Sequence, residues 1–267
     1  MKISEIEEIV STPRVPRINR QRLRLKRGKP YAELVFLGDL HYGYSTCLVD
    51  EIVRQVNYCA AKNIYVLLMG DLIESGTRGS IGTSLFEQRV SPQQQLDEIT
   101  EILKPLARKH LILGAYLGNH EERVFKDTGI NPMKIICDRF RVPYLGAAGW
   151  NLFTVRRYRY KIYGLHGKSG ARQLWTKIKA VNDVAQNVAP NAHVVAMGHV
   201  HENTVIERDY MDIKKNMLIQ PKRFVILTGH YIGYDGSYAQ GYGMSLGRMG
   251  SPKIKLFGDH FDIHASQ

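Results

Sequence analysis

With 267 residues, 44% of them hydrophobic and 23% charged, the chain can bury the core of one large domain, which excludes global disorder. Its net charge of +12 excludes an acidic, self-solvating protein and favours anionic partners. No apolar run reaches the roughly eighteen residues of a membrane span, and residues 1–10, with Glu5, Glu7 and Glu8, lack the apolar centre of a secretory signal.

In chain order, residues 1–30 read as a basic N-terminal arm or edge segment ahead of a domain over 31–267. Residues 12–30 hold eight cations (Arg14, Arg17, Arg20, Arg22, Arg24, Lys26, Arg27 and Lys29) and no acid. Such a block neutralises a row of phosphates and releases counterions, so it points to nucleic acid. A solvated arm that serves solubility is the other reading. Arg20, Arg22, Arg24 and Lys26 alternate with Gln21, Leu23 and Leu25, which predicts an edge strand with one cationic face.

The apolar run 34–37 predicts a buried strand ending in Gly38-Asp39. Leu48, Ile52, Val56 and Cys59 give residues 46–62 helical spacing. Residues 64–69 predict a second buried strand, ending in Gly70-Asp71. Ser91-Pro92 opens a helix that runs to about residue 108, with proline in the permitted first turn. Residues 111–117 predict a third strand, ending in Gly118-Asn119-His120. A hairpin follows over 151–155 and 160–164, then a helix over 171–187 and a strand over 193–197 ending in Gly198-His199. Further strands are predicted at 204–207, 223–227 and 253–257, with 229–250 an irregular loop rich in Gly and Tyr. Strand–helix alternation early and hairpins later suit two packed sheets with helices outside.

One pattern recurs at the strand ends: Gly38-Asp39-Leu40-His41, Gly70-Asp71-Leu72-Ile73-Glu74, Gly118-Asn119-His120-Glu121, Gly164-Leu165-His166-Gly167 and Gly198-His199-Val200-His201. Loops at the C-terminal edge of a sheet are where an open α/β fold places its site. Asp39, Asp71 and Asn119 with His41, His166, His199 and His201 form a mixed oxygen and nitrogen set suited to Mn, Fe, Zn or Ni. Seven ligands are too many for one ion and right for two that share a carboxylate. Cys47, Cys59 and Cys137 are too far apart to form a thiolate site or a disulfide framework, which points to an intracellular, cytoplasmic protein.

These five segments resemble, in order, the signature of the calcineurin-like metallophosphoesterase superfamily: GDxHxG, GDxx(D/E), GNHE, GxH and GHxH. The resemblance implies a four-layer α/β/β/α sandwich of two mixed sheets flanked by helices. It implies one ion on Asp39, His41, Asp71 and His201, and a second on Asp71, Asn119, His166 and His199, most readily Mn. His120 would not ligate but would donate a proton to the leaving group, steered by Glu74. Two ions about 3.5–4 Å apart would acidify a shared water and clamp the phosphoryl oxygens for in-line attack. Glu121 and Glu122 read as helix N-terminal acids that complement the macrodipole rather than as catalysts. His230, in Gly229-His230-Tyr231, is given no role.

The substrate lies in the loops. Ser75, where protein phosphatases of this superfamily carry Arg, counts against a protein substrate. The basic block, Arg78, and the tyrosines of the long loop, Tyr231 foremost, favour a phosphodiesterase acting on nucleic acid or nucleotides, since tyrosines stack bases. The chain looks most like the DNA-repair exonuclease branch, seen in bacteria, archaea and their viruses, without its C-terminal extension. A phosphomonoesterase or cyclic-nucleotide phosphodiesterase is the alternative. An inactive binding scaffold is disfavoured because every ligand position is filled.

Overall fold

A computed structural model describes residues 18–77, 88–214 and 216–267. In chain order the first elements are β1 (Asn19–Leu23), β2 (Tyr31–Leu37), α1 (Val49–Lys62), β3 (Tyr65–Leu68), α2 (Pro92–Arg108) and β4 (Ile112–Ala115). Next come α3 (Asn119–Thr128), α4 (Pro132–Phe140), β5 (Ala148–Val155), β6 (Tyr158–Leu165), α5 (Leu174–Asn187) and β7 (Val194–Met197). The chain ends with β8 (Asn203–Asp209), β9 (Asp212–Lys214), β10 (Met217–Ile219), β11 (Lys222–Thr228), α6 (Tyr238–Gly241), β12 (Lys253–Phe257) and β13 (Ile263–Ser266).

Two mixed sheets form the frame, one ordered β13-β12-β2-β3-β4 and the other β1-β5-β6-β7-β11-β8. In the first, β2, β3 and β4 are parallel. In the second, β6, β7 and β11 are parallel. Strand alternation sends alternate side chains to opposite faces. Leu34, Phe36, Leu67 and Met69 therefore meet Phe153, Ile162, Val194 and Ile226 between the sheets. Val35, Leu37, Val66 and Leu68 face outward onto Ile52 and Val56 of α1 and Leu96, Ile99 and Leu103 of α2. On the far side, Val195 and Val225 pack against Val181 and Ala185 of α5. The layers run α/β/β/α, and burial on both faces is why the central strands read as unbroken apolar runs.

Helix ends follow local chemistry. Ser91 caps α2, accepting the Gln94 N–H, while Gln94 reaches back to form a capping box. α1 closes on Asn63 in the left-handed conformation, at φ 47°.

The expected edge strand is β1, paired in parallel with β5. The predicted helices at 46–62 and 171–187 start three residues later, at Val49 and Leu174. The helix start read from Glu121 and Glu122 is α3, which carries no hydrophobic period because its buried residues are the polar His120 and Glu121. Sequence spacing misses α4, β13 and the β9–β10 ribbon, each of nine residues or fewer. The loop at 229–250 contains the single turn of α6. Among the described residues, no helix is long and apolar enough to cross a membrane.

Candidate metal centre

Five strands end on the same side of the sandwich. β2 delivers Asp39 and His41, β3 delivers Asp71, β4 delivers Asn119 and His120 at the start of α3, β6 delivers His166, and β7 delivers His199 and His201. The turns are tight. Asp39, His41, Asp71, His199 and His201 all have φ between 47° and 70°, a region that costs a non-glycine residue about 1–3 kcal/mol. Backbone bonds hold two of these turns together: Asp39 N–H donates to Gly70 at 2.9 Å, and Leu40 and His41 both donate to the Asp71 carbonyl, at 2.8 and 3.0 Å. Gly118 is required by close approach, since a Cβ there would strike Asp71.

The side chains converge as two clusters. Ligand atoms of Asp39, His41 and His201 lie within 4.8 Å of one another, as do those of Asp71, His166 and His199. Asp71 Oδ2 stands between them, 3.1 Å from His166 Nε2 and 3.9 Å from His41 Nε2. His201 Nε2 is 3.4 Å from Asp39 Oδ1 and 3.0 Å from His41 Nε2.

The donor set fits divalent cations. The Nδ1–H of His166 donates to the Met69 carbonyl at 2.8 Å, which leaves Nε2 as the lone-pair nitrogen. That nitrogen meets Asn119 Oδ1 at 2.9 Å as well as Asp71 Oδ2, so three lone pairs point at one place. His41 repeats the device: its Nδ1–H donates to Glu74 Oε2 at 2.8 Å, and its Nε2 faces the cluster. Outer hydrogen bonds of this kind orient metal-binding imidazoles. Buried carboxylates are costly without compensating positive charge. With protons alone to supply it, burial is outweighed at His166, where the Asp71 carboxylate raises the imidazolium to about 10. Against burial, His166 and His120 hold Asp71 well below the usual carboxylate range. Burial lowers His199 and His201 instead. A cation held by these donors would take the place of the His166 proton and supply the same compensation.

Glu74, His120 and Tyr231 take positions that spacing alone does not foresee. Glu74 does not give its carboxylate chiefly to His120. Its Oε2 lies 2.8 Å from His41 Nδ1 and 3.5 Å from His120 Nδ1, and the His120 Nδ1–H donates instead to the Glu74 backbone carbonyl at 2.6 Å. Burial lowers the His120 pKa, against the raising effect of Asp71 and Glu74. Tyr231, expected at the substrate, is 3% exposed, with its ring in the outer core and its hydroxyl bonded to Ser251 at 3.0 Å. Its backbone N–H supports the Asp39 carbonyl at 3.0 Å. Arg78 lies outside the described residues, as do Arg14 and Arg17 of the basic block.

Two residues given no such part stand against the centre. Glu121 is fully buried, and its carboxylate accepts the N–H groups of Asp71, Leu72 and Ile73. His230 stacks on His201, with ring centroids 5.1 Å apart and planes 22° apart. Burial lowers its pKa to about 3. Its position beside Gly229 was the only sequence signal, since it follows a buried strand as the other site histidines do.

The sequence profile of the calcineurin-like phosphoesterases matches residues 33–245 of this chain. No curated protein matches it.

Proposed function

The chain belongs to the calcineurin-like phosphoesterase family, which makes it a metal-dependent phosphoric ester hydrolase with a dinuclear divalent site, and we propose that it is a phosphodiesterase acting on nucleic acid. Asp39, His41, Asp71 and His201 would hold one ion. Asp71, Asn119, His166 and His199 would hold the other. The oxygen and nitrogen donors suit Mn, ahead of Fe, Zn or Ni. Two such ions, when bound, acidify the attacking water and neutralise phosphoryl charge. His120 stays off the ions, donating its Nδ1–H to the Glu74 carbonyl at 2.6 Å; as the imidazolium, with its second proton on Nε2, it would protonate the departing alkoxide. The Glu74 carboxylate acts one step back, orienting His41. Three buried unpaired thiols suit a reducing compartment, in keeping with action in the cytoplasm.

The polymer substrate rests on one observation. Register places Arg20, Leu152 and Lys161 in one cross-strand row and Arg22, Thr154 and Arg159 in the next. Phe153, Tyr160 and Ile162 point into the core, so these rows form the outer face of β1, β5 and β6. The four cations are exposed, and the rows contain no acid. Side chains two residues apart on a strand stand about 7 Å apart, so this face offers a grid of charges to a phosphate chain. Lys161 precedes His166 by five residues, roughly 17 Å of strand. Only a substrate several nucleotides long can reach both the grid and the metal centre.

The test is a screen of metal-stripped protein reconstituted with Mn against bis-p-nitrophenyl phosphate, p-nitrophenyl phosphate, single-stranded DNA, duplex DNA and RNA. Turnover of the diester and of a polymer is expected, with little on the monoester. Replacing Arg20, Arg22, Arg159 and Lys161 with Gln should flatten the salt dependence of polymer binding by about 0.7–0.9 logarithmic units per lost phosphate contact. Activity on the monoester alone, or an unaltered salt slope, points instead to a phosphomonoesterase or a small-molecule phosphodiesterase.

A further inference from the structure

A cavity of about 290 Å³ opens against the metal centre, sharing His199 and His201 as part of its wall. Most of its remaining lining comes from residues 169–172 ahead of α5, from Lys177 of α5 and from the long loop after β11. Ile232, Tyr234, Met244 and Leu246 supply apolar surface, while His230 and Lys177 supply polar atoms. Tyr234 is held in place by its hydroxyl, which donates to the Met244 carbonyl at 2.9 Å.

The two polar groups are unusual in their burial. Each residue is 6% exposed. Ile232 N–H donates to His230 Nδ1 at 3.2 Å, which leaves the imidazole proton on Nε2. Among the described residues, that Nε2, beside the Gly247 backbone, completes no hydrogen bond. A buried donor left unmade costs about 1–3 kcal/mol, so it persists where an occupant supplies the acceptor. The Lys177 ammonium lies 3.8 Å from Glu202 Oε2, beyond a normal hydrogen bond, and so retains donors for a ligand.

Resting on the phosphodiesterase reading, we propose that this cavity seats the nucleoside moiety esterified to the phosphate at the metal centre. A nucleobase is flat and apolar on its faces but carries acceptors on its edge. It can therefore cover the apolar walls while meeting the His230 N–H and the Lys177 ammonium. An acyl chain would leave both donors unpaired. The nucleoside can come from a strand or from a small nucleotide ester.

The test uses Mn-loaded full-length protein and two variants that fill the cavity from different elements, Ala239→Phe on α6 and Ala171→Phe ahead of α5. The binding probes are adenosine 5′-monophosphate, thymidine 5′-monophosphate and inorganic phosphate, followed by calorimetry, with metal content measured in parallel. The wild type should bind the nucleotides at least tenfold more tightly than phosphate. Both variants should close that gap while retaining two ions per chain. Equal affinity for nucleotide and phosphate in the wild type, or a gap that survives in both variants, overturns the proposal. A dinucleoside monophosphate, a cyclic nucleotide and a longer oligonucleotide then separate the two sources. If no polymer is cut and the gap is present, the nuclease reading fails and the cavity serves small nucleotides. If polymers are cut and the gap is absent, the cavity proposal alone fails.

Discussion

The Glu121 carboxylate accepts the backbone N–H of Asp71 at 3.1 Å, while the Asp71 carboxylate accepts the N–H of His120 at 2.9 Å, so the β3 loop and the start of α3 hold each other in place. Glu121 also accepts from Leu72 at 2.7 Å, Ile73 at 3.3 Å and Gly118 at 3.2 Å. Its carboxylate thus satisfies the N–H groups of the turn that presents the shared ligand. Glu121→Ala leaves those buried donors unmade at about 1–3 kcal/mol apiece, partly relieved by water. The expected result is a loss of about 3–5 kcal/mol in urea unfolding and fewer than two ions bound per chain. Wild-type stability together with full metal content would show that the turn stands without Glu121.

Spatial convergence at the strand ends was legible because each segment couples an apolar run to residues that only a cation justifies. Asp39 and Asp71 would be costly buried alone, and their loops must lie together because parallel strands deliver them to one edge. Glu121 was not legible. Spacing makes it a helix N-terminal acid, and nothing local reveals that a turn fifty residues earlier folds over that terminus. His230 was hidden for the same reason: it follows β11 while its neighbour His201 follows β7, and nothing local shows that these two strands pair in parallel. The outer cationic face was half visible, since alternation in β1 showed Arg20 and Arg22, but only register adds Arg159 and Lys161.

Glu74 reaches the centre through His41. The bond from His41 Nδ1–H to Glu74 Oε2, at 2.8 Å, sets which nitrogen faces the ion. Glu74→Gln keeps the size of the side chain but removes the charge from that bond. Metal affinity should fall about 10–100-fold, as for other outer partners of metal ligands. Competition against a chelator of known affinity measures it, and an unchanged dissociation constant would remove Glu74 from the support of His41.

His120 lies near both clusters, with its Nε2 3.9 Å from Asp71 Oδ2, yet the Glu74 carbonyl takes its Nδ1. On the proposed role of proton donor rather than ligand, it should be replaceable without loss of metal. His120→Asn should lower turnover of a poor leaving group by about 10²–10⁴-fold, and less for p-nitrophenolate, which departs without a proton. Two ions per chain should remain. Metal loss in this variant would make His120 structural.

A last prediction concerns the strand that carries Asp39 and His41. Glu33 of β2 is buried at 5% exposure and meets Lys26 at 3.0 Å, Lys29 at 3.0 Å and Lys253 at 3.3 Å. These contacts join β2 to the segment after β1 and to β12. Burial alone would raise the carboxyl pKa, but the ammonium groups of Lys26, Lys29 and Lys253 hold it down to about 2, from an ordinary 4.5. A carboxyl whose folded pKa is depressed stabilises the fold fully above its unfolded value, and that contribution is lost as pH falls through the folded value. The window therefore runs from about 4.5 down to about 2. The lysines are partly exposed, so solvent screening trims the contribution to about 1–2 kcal/mol. Glu33→Gln should lower stability by that amount at pH 7, and the deficit should shrink as pH approaches 3. Urea midpoints measured across this range test it, and a deficit that is constant with pH would assign the loss to packing rather than to charge.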